Sequence, residues 1–248
     1  MRWAGYFIVF ISIPSIVGCS GHSVDWSNPH APPGTGFIVR QWVQEGRPQN
    51  YSVFIPHDYD PRKHYPVIIF LHGLFESGTD GRKCVAVGIG PTVSRQADTF
   101  PFIVIFPQST GDWQGEPAAR WVMLTLDQVL HDYPAADAHR VILAGVSTGG
   151  DATWSIGAKH ANRFAGLVPM SSGPDVSNES TLTHIPIWAF HNRVDPFRGT
   201  GGARDLCVAI NRAGGNAAYT EYPEFGHDCW TRAFGDPKLI EWIANRRR

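Results

Sequence analysis

The chain has 248 residues, 43% of them hydrophobic and 12% aromatic, which suffices for a sizeable core and favours one large domain. A formal net charge of −1 excludes the strong basic field of a nucleic-acid binder or of a protein held electrostatically to acidic lipid. No CxxC or His-rich spacing points to a metal site, so neither a metal nor an organic cofactor is expected.

In chain order, Arg2 precedes an apolar stretch from Ala4 to Val17 that is short for a membrane span and suits the h-region of a signal peptide over residues 1–18. Ile16-Val17-Gly18-Cys19 resembles a bacterial lipobox, and that resemblance implies cleavage before Cys19 and lipidation of its thiol. The expectation is an exported lipoprotein of a bacterial cell envelope, touching the membrane only through its lipid; plain release to the periplasm or medium is the alternative. Residues 19–35, rich in Ser, Pro and Gly and without periodicity, read as a tether. The folded domain then runs over 36–248.

Strands are predicted at Phe37–Val43, Tyr51–Ile55, Pro66–Leu71, Phe102–Phe106, Val141–Ala144, Ala165–Pro169, Ile187–Phe190 and Ala217–Tyr222. Runs such as VIIFL, FIVIF and VILA are continuously apolar, as parallel strands buried on both faces must be. Helices are predicted at Ala118–Tyr133, Asp151–His160, Ala203–Ala213 and Leu239–Arg247. Strands alternating with helices imply an α/β fold with a mostly parallel sheet covered on both sides. Gly199 to Ala203 reads as a helix start, since no P-loop lysine accompanies its glycines. Arg246 to Arg248 read as a solvated helix end. Among Cys84, Cys207 and Cys229, the pair expected to bridge in an oxidising compartment is Cys207–Cys229.

Gly145-Val146-Ser147-Thr148-Gly149 lies between a buried strand and a helix. A serine nucleophile needs a strained turn that lifts its hydroxyl above the sheet, with glycines two residues away letting strand and helix pass closely. The helix N-terminus then aims backbone N–H groups at a forming oxyanion. A base must follow in the chain: His160, His184, His191 and His227 lie downstream, and His227, in a loop between the last strand and the final helix, is the candidate. The acid is Asp195 or Asp175, both in strand-end loops that spacing does not separate. Asp195 is preferred because it follows the strand adjacent to the His-bearing one. Asp127 and Asp137 read as helix-surface and turn residues. The loop His72-Gly73-Leu74 supplies the second oxyanion donor, so the donors are the N–H groups of Leu74 and Thr148; His72 reads as a loop anchor.

The segments FLHGLFESGTDG, RVILAGVSTGGDATW, RFAGLVPMSSG, PIWAFHNRVDP and AGGNAAYTEYPEFGHDCW together resemble the α/β-hydrolase esterases. Within these the chain is similar to the bacterial "predicted peptidase" group, akin to feruloyl and polyhydroxybutyrate-depolymerase-type esterases. The resemblance spans roughly residues 37–247 and implies the α/β-hydrolase fold. It also implies Ser147 as nucleophile, Asp195 as acid, His227 as base, and Leu74 and Thr148 as oxyanion donors. Three departures stand out: Thr148 replaces the usual methionine, Phe75 fills a glycine position of the oxyanion loop, and Asn192 follows His191 where glycine is usual.

Phe75, Glu76, Trp113 and Trp230 are candidates for the substrate pocket, with Trp121 a further groove candidate; each tryptophan could equally pack in the core. Glu76 is either a polar substrate contact or a loop-stabilising acceptor, and the second is favoured. The function this implies is cleavage of small or polymer-borne carboxylic esters through an acyl-enzyme. The alternatives are a serine peptidase with the same triad and a non-catalytic surface lipoprotein that binds.

Overall fold

A computed structural model describes residues 24, 26, 31–44, 47–174 and 179–248. The signal peptide, Cys19 and Asp175 lie outside the described residues. Eight strands form one sheet: β1 (Gly36–Gln44), β2 (Arg47–Ile55), β3 (Tyr65–Leu71), β4 (Ile103–Pro107), β5 (Ala136–Val146), β6 (Gly166–Met170), β7 (Ile187–Val194) and β8 (Ala217–Phe225). Their order is β1-β2-β4-β3-β5-β6-β7-β8. β2 runs antiparallel to both β1 and β4, and all other pairings are parallel.

The burial explains the composition. Every residue of β3 and β4 is buried, because helices cover both faces of the central strands and no polar alternation is needed. On one face lie α2 (Gly115–Asp132), α3 (Thr148–Lys159) and α4 (Gly201–Arg212), contributing Trp121, Leu126, Trp154 and Ile210 to the core. On the other lie α1 (Gly90–Arg95), α5 (Trp230–Gly235) and α6 (Pro237–Ala244), contributing Val93, Phe234 and Leu239. α6 starts in the expected way: Pro237 sits in the first turn and the Asp236 carboxylate accepts from Lys238 N–H.

The two-sided core overturns the expected disulfide. Cys207 of α4 packs into the first cluster and Cys229 into the second, on opposite faces of the sheet; both are free and buried. No bridge can pass through a layer of strands. Two helices, α1 and α5, were not legible in the sequence. Each has six residues, too few for an apolar period to show. β5 begins five residues before its apolar run, since Ala136 pairs with Tyr65 across a bulge. Asp137 is therefore a strand residue, and it meets Arg247 of the basic tail at 3.3 Å.

Chain order reverses at the centre of the sheet. From β3 the chain steps outward to β4 and then returns to β5 on the other side of β3. The crevice beyond the carboxyl ends of β3 and β5 is thus a topological switch point, where an open α/β sheet collects ligand-binding loops.

Candidate active site

Ser147 sits at that crevice, between the end of β5 and the start of α3. Its backbone has φ 55° and ψ −121°, a region side chains rarely adopt, costing about 1–3 kcal/mol. The turn is over-determined: Ser147 N–H donates to Met170 O at 3.0 Å and Ser147 O accepts from Asp151 N–H at 2.9 Å. The flanking glycines are sterically required. A Cβ on Gly145 would lie 2.3 Å from Gly149 O, and one on Gly149 would lie 2.2 Å from Leu71 O.

The loop after β3 closes on this turn. A Cβ on Gly73 would lie 3.5 Å from the Cβ of Ser147. His72 pins the loop, with Nδ1–H donating to Gly73 O at 2.6 Å and Nε2 accepting from Ser109 N–H at 3.0 Å. Both nitrogens are used and the ring is buried, so its pKa is lowered to about 4 by loss of solvation. Leu74 begins a short 3-10 turn over Leu74–Glu76, and Thr148 begins α3. Both therefore present first-turn N–H groups, which helices leave without internal partners. Burial pushes the Glu76 carboxyl up, while the N–H groups of Glu76 and Gly73 pull the other way. The Glu76 carboxylate folds back over Gly73, where an added Cβ would lie 3.2 Å from Oε2.

Asp195 and His227 come together from the loops after β7 and β8. His227 Nδ1–H donates to Asp195 Oδ2 at 2.7 Å, which leaves Nε2 as the ring's lone-pair nitrogen. The Asp195 side chain is wholly buried, and its Oδ1 accepts from Phe197 N–H at 2.8 Å and Arg198 N–H at 3.1 Å. The His227 ring stands between Phe197 and Trp230, at centroid distances of 5.3 and 5.4 Å.

Several residues that hold these groups were not singled out for the task by the sequence. Ser171, also at positive φ (45°), donates its hydroxyl to His227 O at 2.6 Å. Asn192 donates to Gly226 O and Asp228 O, on either side of His227, at 3.0 and 3.1 Å. The departure from glycine at this position therefore ties the histidine loop down. Arg198 reaches Asp151 of α3 at 2.7 Å, joining the loop after β7 to the helix that follows Ser147. A second non-glycine positive φ and paired polar side chains next to a histidine become signals only once the strands are aligned.

The pocket candidates divide. Phe75 is 87% exposed beside the Leu74 loop, and Phe197, unforeseen, is 65% exposed on the other side of His227. Trp113 is only 3% exposed and donates Nε1–H to His72 O at 2.8 Å, so it anchors the loop from behind and does not line a groove. Trp121 is likewise buried and donates to Gln108 O. Trp230, 7% exposed, backs the His227 ring. His160 follows α3 at its C-terminus, and burial first, then Lys159 and Arg163, lower its pKa. Among the described residues no group of three or more His, Cys, Asp or Glu side chains could hold a metal ion.

No protein-family model matches the sequence, and no curated protein matches it. Solved structures do. A thermostable esterase is 28% identical with a TM-score of 0.78, over 86% of this chain and 63% of that one. The chain thus spans less than two thirds of that esterase's length. A fluorophosphonate-binding serine hydrolase of Staphylococcus aureus is 18% identical with a TM-score of 0.65, over 86% of this chain and 100% of that one. A ferulic acid esterase of Anaeromyces mucronatus is 15% identical with a TM-score of 0.61, over 87% and 93% of the two chains. At such identities the last two speak for the fold alone. Sheet order, the strained serine turn at the switch point and these likenesses together give the chain the α/β-hydrolase fold.

Proposed function

We propose that the protein is a serine hydrolase that cleaves carboxylic esters. The observation that carries this reading is the 2.7 Å bond from His227 Nδ1–H to a buried Asp195, in the same crevice as a serine held at positive φ. Asp195 keeps His227 in the tautomer whose Nε2 can accept a proton. Ser147 Oγ attacks the ester carbonyl as its proton passes to Nε2. The N–H groups of Leu74 and Thr148 hold the resulting oxyanion. The imidazolium returns the proton to the departing alcohol, leaving an acyl-serine. Water, deprotonated by the same nitrogen, then releases the acid and restores the serine. No metal or cofactor is required by these steps. The exposed rings of Phe75 and Phe197 beside the site favour an apolar or aromatic acyl or alcohol group, which accords with the feruloyl-esterase side of the sequence resemblance.

The test uses a fluorophosphonate probe and p-nitrophenyl, feruloyl and peptide-amide substrates. Wild-type protein should label and turn over esters, and Ser147→Ala should do neither. Labelling that survives Ser147→Ala would sink the reading, and faster amide than ester turnover would move it to a peptidase. Loss of activity in Asp175→Ala with retention in Asp195→Ala would reassign the acid. Export and lipidation of Cys19 are proposed on the N-terminal sequence. Palmitate incorporation abolished by Cys19→Ala is the expected result.

A further inference from the structure

His191 occupies an unusual position. Its side chain on β7 is fully buried, and its Nε2 lies 3.2 Å from Asp195 Oδ2, the same oxygen that accepts from His227. Neither ring nitrogen completes a hydrogen bond of good geometry among the described residues, although the Asp195 carboxylate and the Arg198 backbone carbonyl both face the ring. A buried polar group left this way costs about 1–3 kcal/mol, so aromatic or aliphatic packing would serve a purely structural position better. Catalytic hydrogen bonds are often long or poorly aligned before substrate binds and tighten in the complex.

We propose that His191 is a positioning residue: a second, neutral imidazole that presents Nε2–H to Asp195 Oδ2 and shares that carboxylate with His227. The proposal rests on the triad reading above and deepens it. The carboxylate already takes two backbone N–H groups on Oδ1, so His191 completes its shell on the Oδ2 side. The Asp195 carboxylate outcompetes the neutral Arg198 carbonyl for the ring's single proton, which places that proton on Nε2. The charged and titratable groups around the ring are few. Asp195 comes from the loop after β7 and His227 from the loop after β8, while Arg198 faces the ring through its backbone carbonyl and sends its guanidinium to Asp151. Glu221, the register partner of His191 on β8, is turned to Arg193. Burial holds His191 below the ordinary histidine range against the opposing pull of Asp195, so one ring proton is present at neutral pH.

The consequence is a setting of the working pH. With His191 donating, part of the Asp195 charge is engaged and less of it stabilises the His227 imidazolium. Without that donor the carboxylate bears wholly on His227, and the acid limb of the rate profile moves to higher pH.

Two measurements test this. In histidine-labelled wild-type protein, ¹⁵N NMR should find His191 as the neutral Nε2–H tautomer, assigned by its loss in His191→Gln and shifted by Asp195→Asn. In kinetics, His191→Phe should lower kcat about tenfold with KM nearly unchanged, the loss expected for one charged hydrogen bond. It should also move the acid limb of kcat/KM up by about half to one pH unit. His191→Gln, which keeps an N–H donor, should restore the limb. An Nδ1–H tautomer indifferent to Asp195→Asn overturns the proposal, as does an acid limb unmoved in His191→Phe. If His191→Phe does not fold, the wild-type tautomer and His191→Gln decide. Failure of the triad reading would show separately, as absence of Ser147-dependent labelling, and leaves the tautomer measurement intact.

Discussion

Gly149→Ala probes the seam on which the proposed oxyanion site depends. The added Cβ would lie 2.2 Å from Leu71 O and 2.5 Å from His72 O, both backbone atoms at the end of the central strand β3. An unstrained carbon–oxygen contact is a little over 3 Å, so α3 and the end of β3 must part by about 1 Å. Neither side yields easily: Trp113 and Ser109 pin His72, and Met170 O and Asp151 hold the serine turn. Overpacking costs about 1–3 kcal/mol, and with backbone on both sides the upper end applies. At about 2–4 °C per kcal/mol for a domain of this size, Tm should fall by about 6–12 °C. The proposed donors Leu74 and Thr148 stand on opposite sides of the seam, so their spacing changes too. A misplacement of about 1 Å costs on the order of 10² in rate. Thermal melts and kcat/KM on p-nitrophenyl acetate, measured well below both melting points, read the two effects. Gly111→Ala, where a Cβ meets nothing within 4 Å, is the control and should match wild type. If Gly149→Ala melts within about 2 °C of wild type and keeps kcat/KM within about threefold, the rigid-seam argument is wrong.

Acid should destabilise the fold through His72, whose pKa is depressed to about 4. The unfolded chain protonates below about 6.5 and the folded one resists, so stability present above 6.5 is lost as pH falls toward 4, by about 3 kcal/mol. Urea midpoints from pH 7 to 4 measure this, and His72→Gln should flatten the slope; an unchanged slope would assign the acid sensitivity elsewhere. Ser171→Ala removes the hydroxyl bond to His227 O while keeping the positive φ. It should lower kcat about tenfold at nearly constant KM, and full activity would deny Ser171 a positioning role. Thiol titration of denatured protein should find Cys84, Cys207 and Cys229 all free, and reductant should leave Tm unchanged. A Cys207–Cys229 cross-link in a peptide map would contradict the opposite-face packing.

The central strands were readable because they are apolar on both faces, and that pattern survives any local context. Where polarity and structure diverge, reading failed: Asp137 looked like a turn residue because its strand pairing with β3 and its contact with Arg247 are both remote in sequence. Trp113 was a fair groove candidate, since a large ring beside a loop looks alike in either role. Its place was decided by whether its indole N–H had a partner, and the partner is a carbonyl 41 residues away.

Chain-local chemistry determined much of the rest. Glycine, serine and glycine at fixed spacing between an apolar run and a helix specify a strained turn, because only glycine leaves room for Leu71 O and Gly149 O. The proposed order Ser147, Asp195, His227 follows from strand ends, except that spacing left Asp175 as an alternative to Asp195. Which groups hold that constellation in place was decided only by the tertiary structure. Ser171, Asn192, Arg198 and His191 reach their partners from different strands and loops, at distances set by the register of β6, β7 and β8. Hydrogen bonds act over about 3 Å, and nothing in a linear chain reports which residues distant in sequence will come that close.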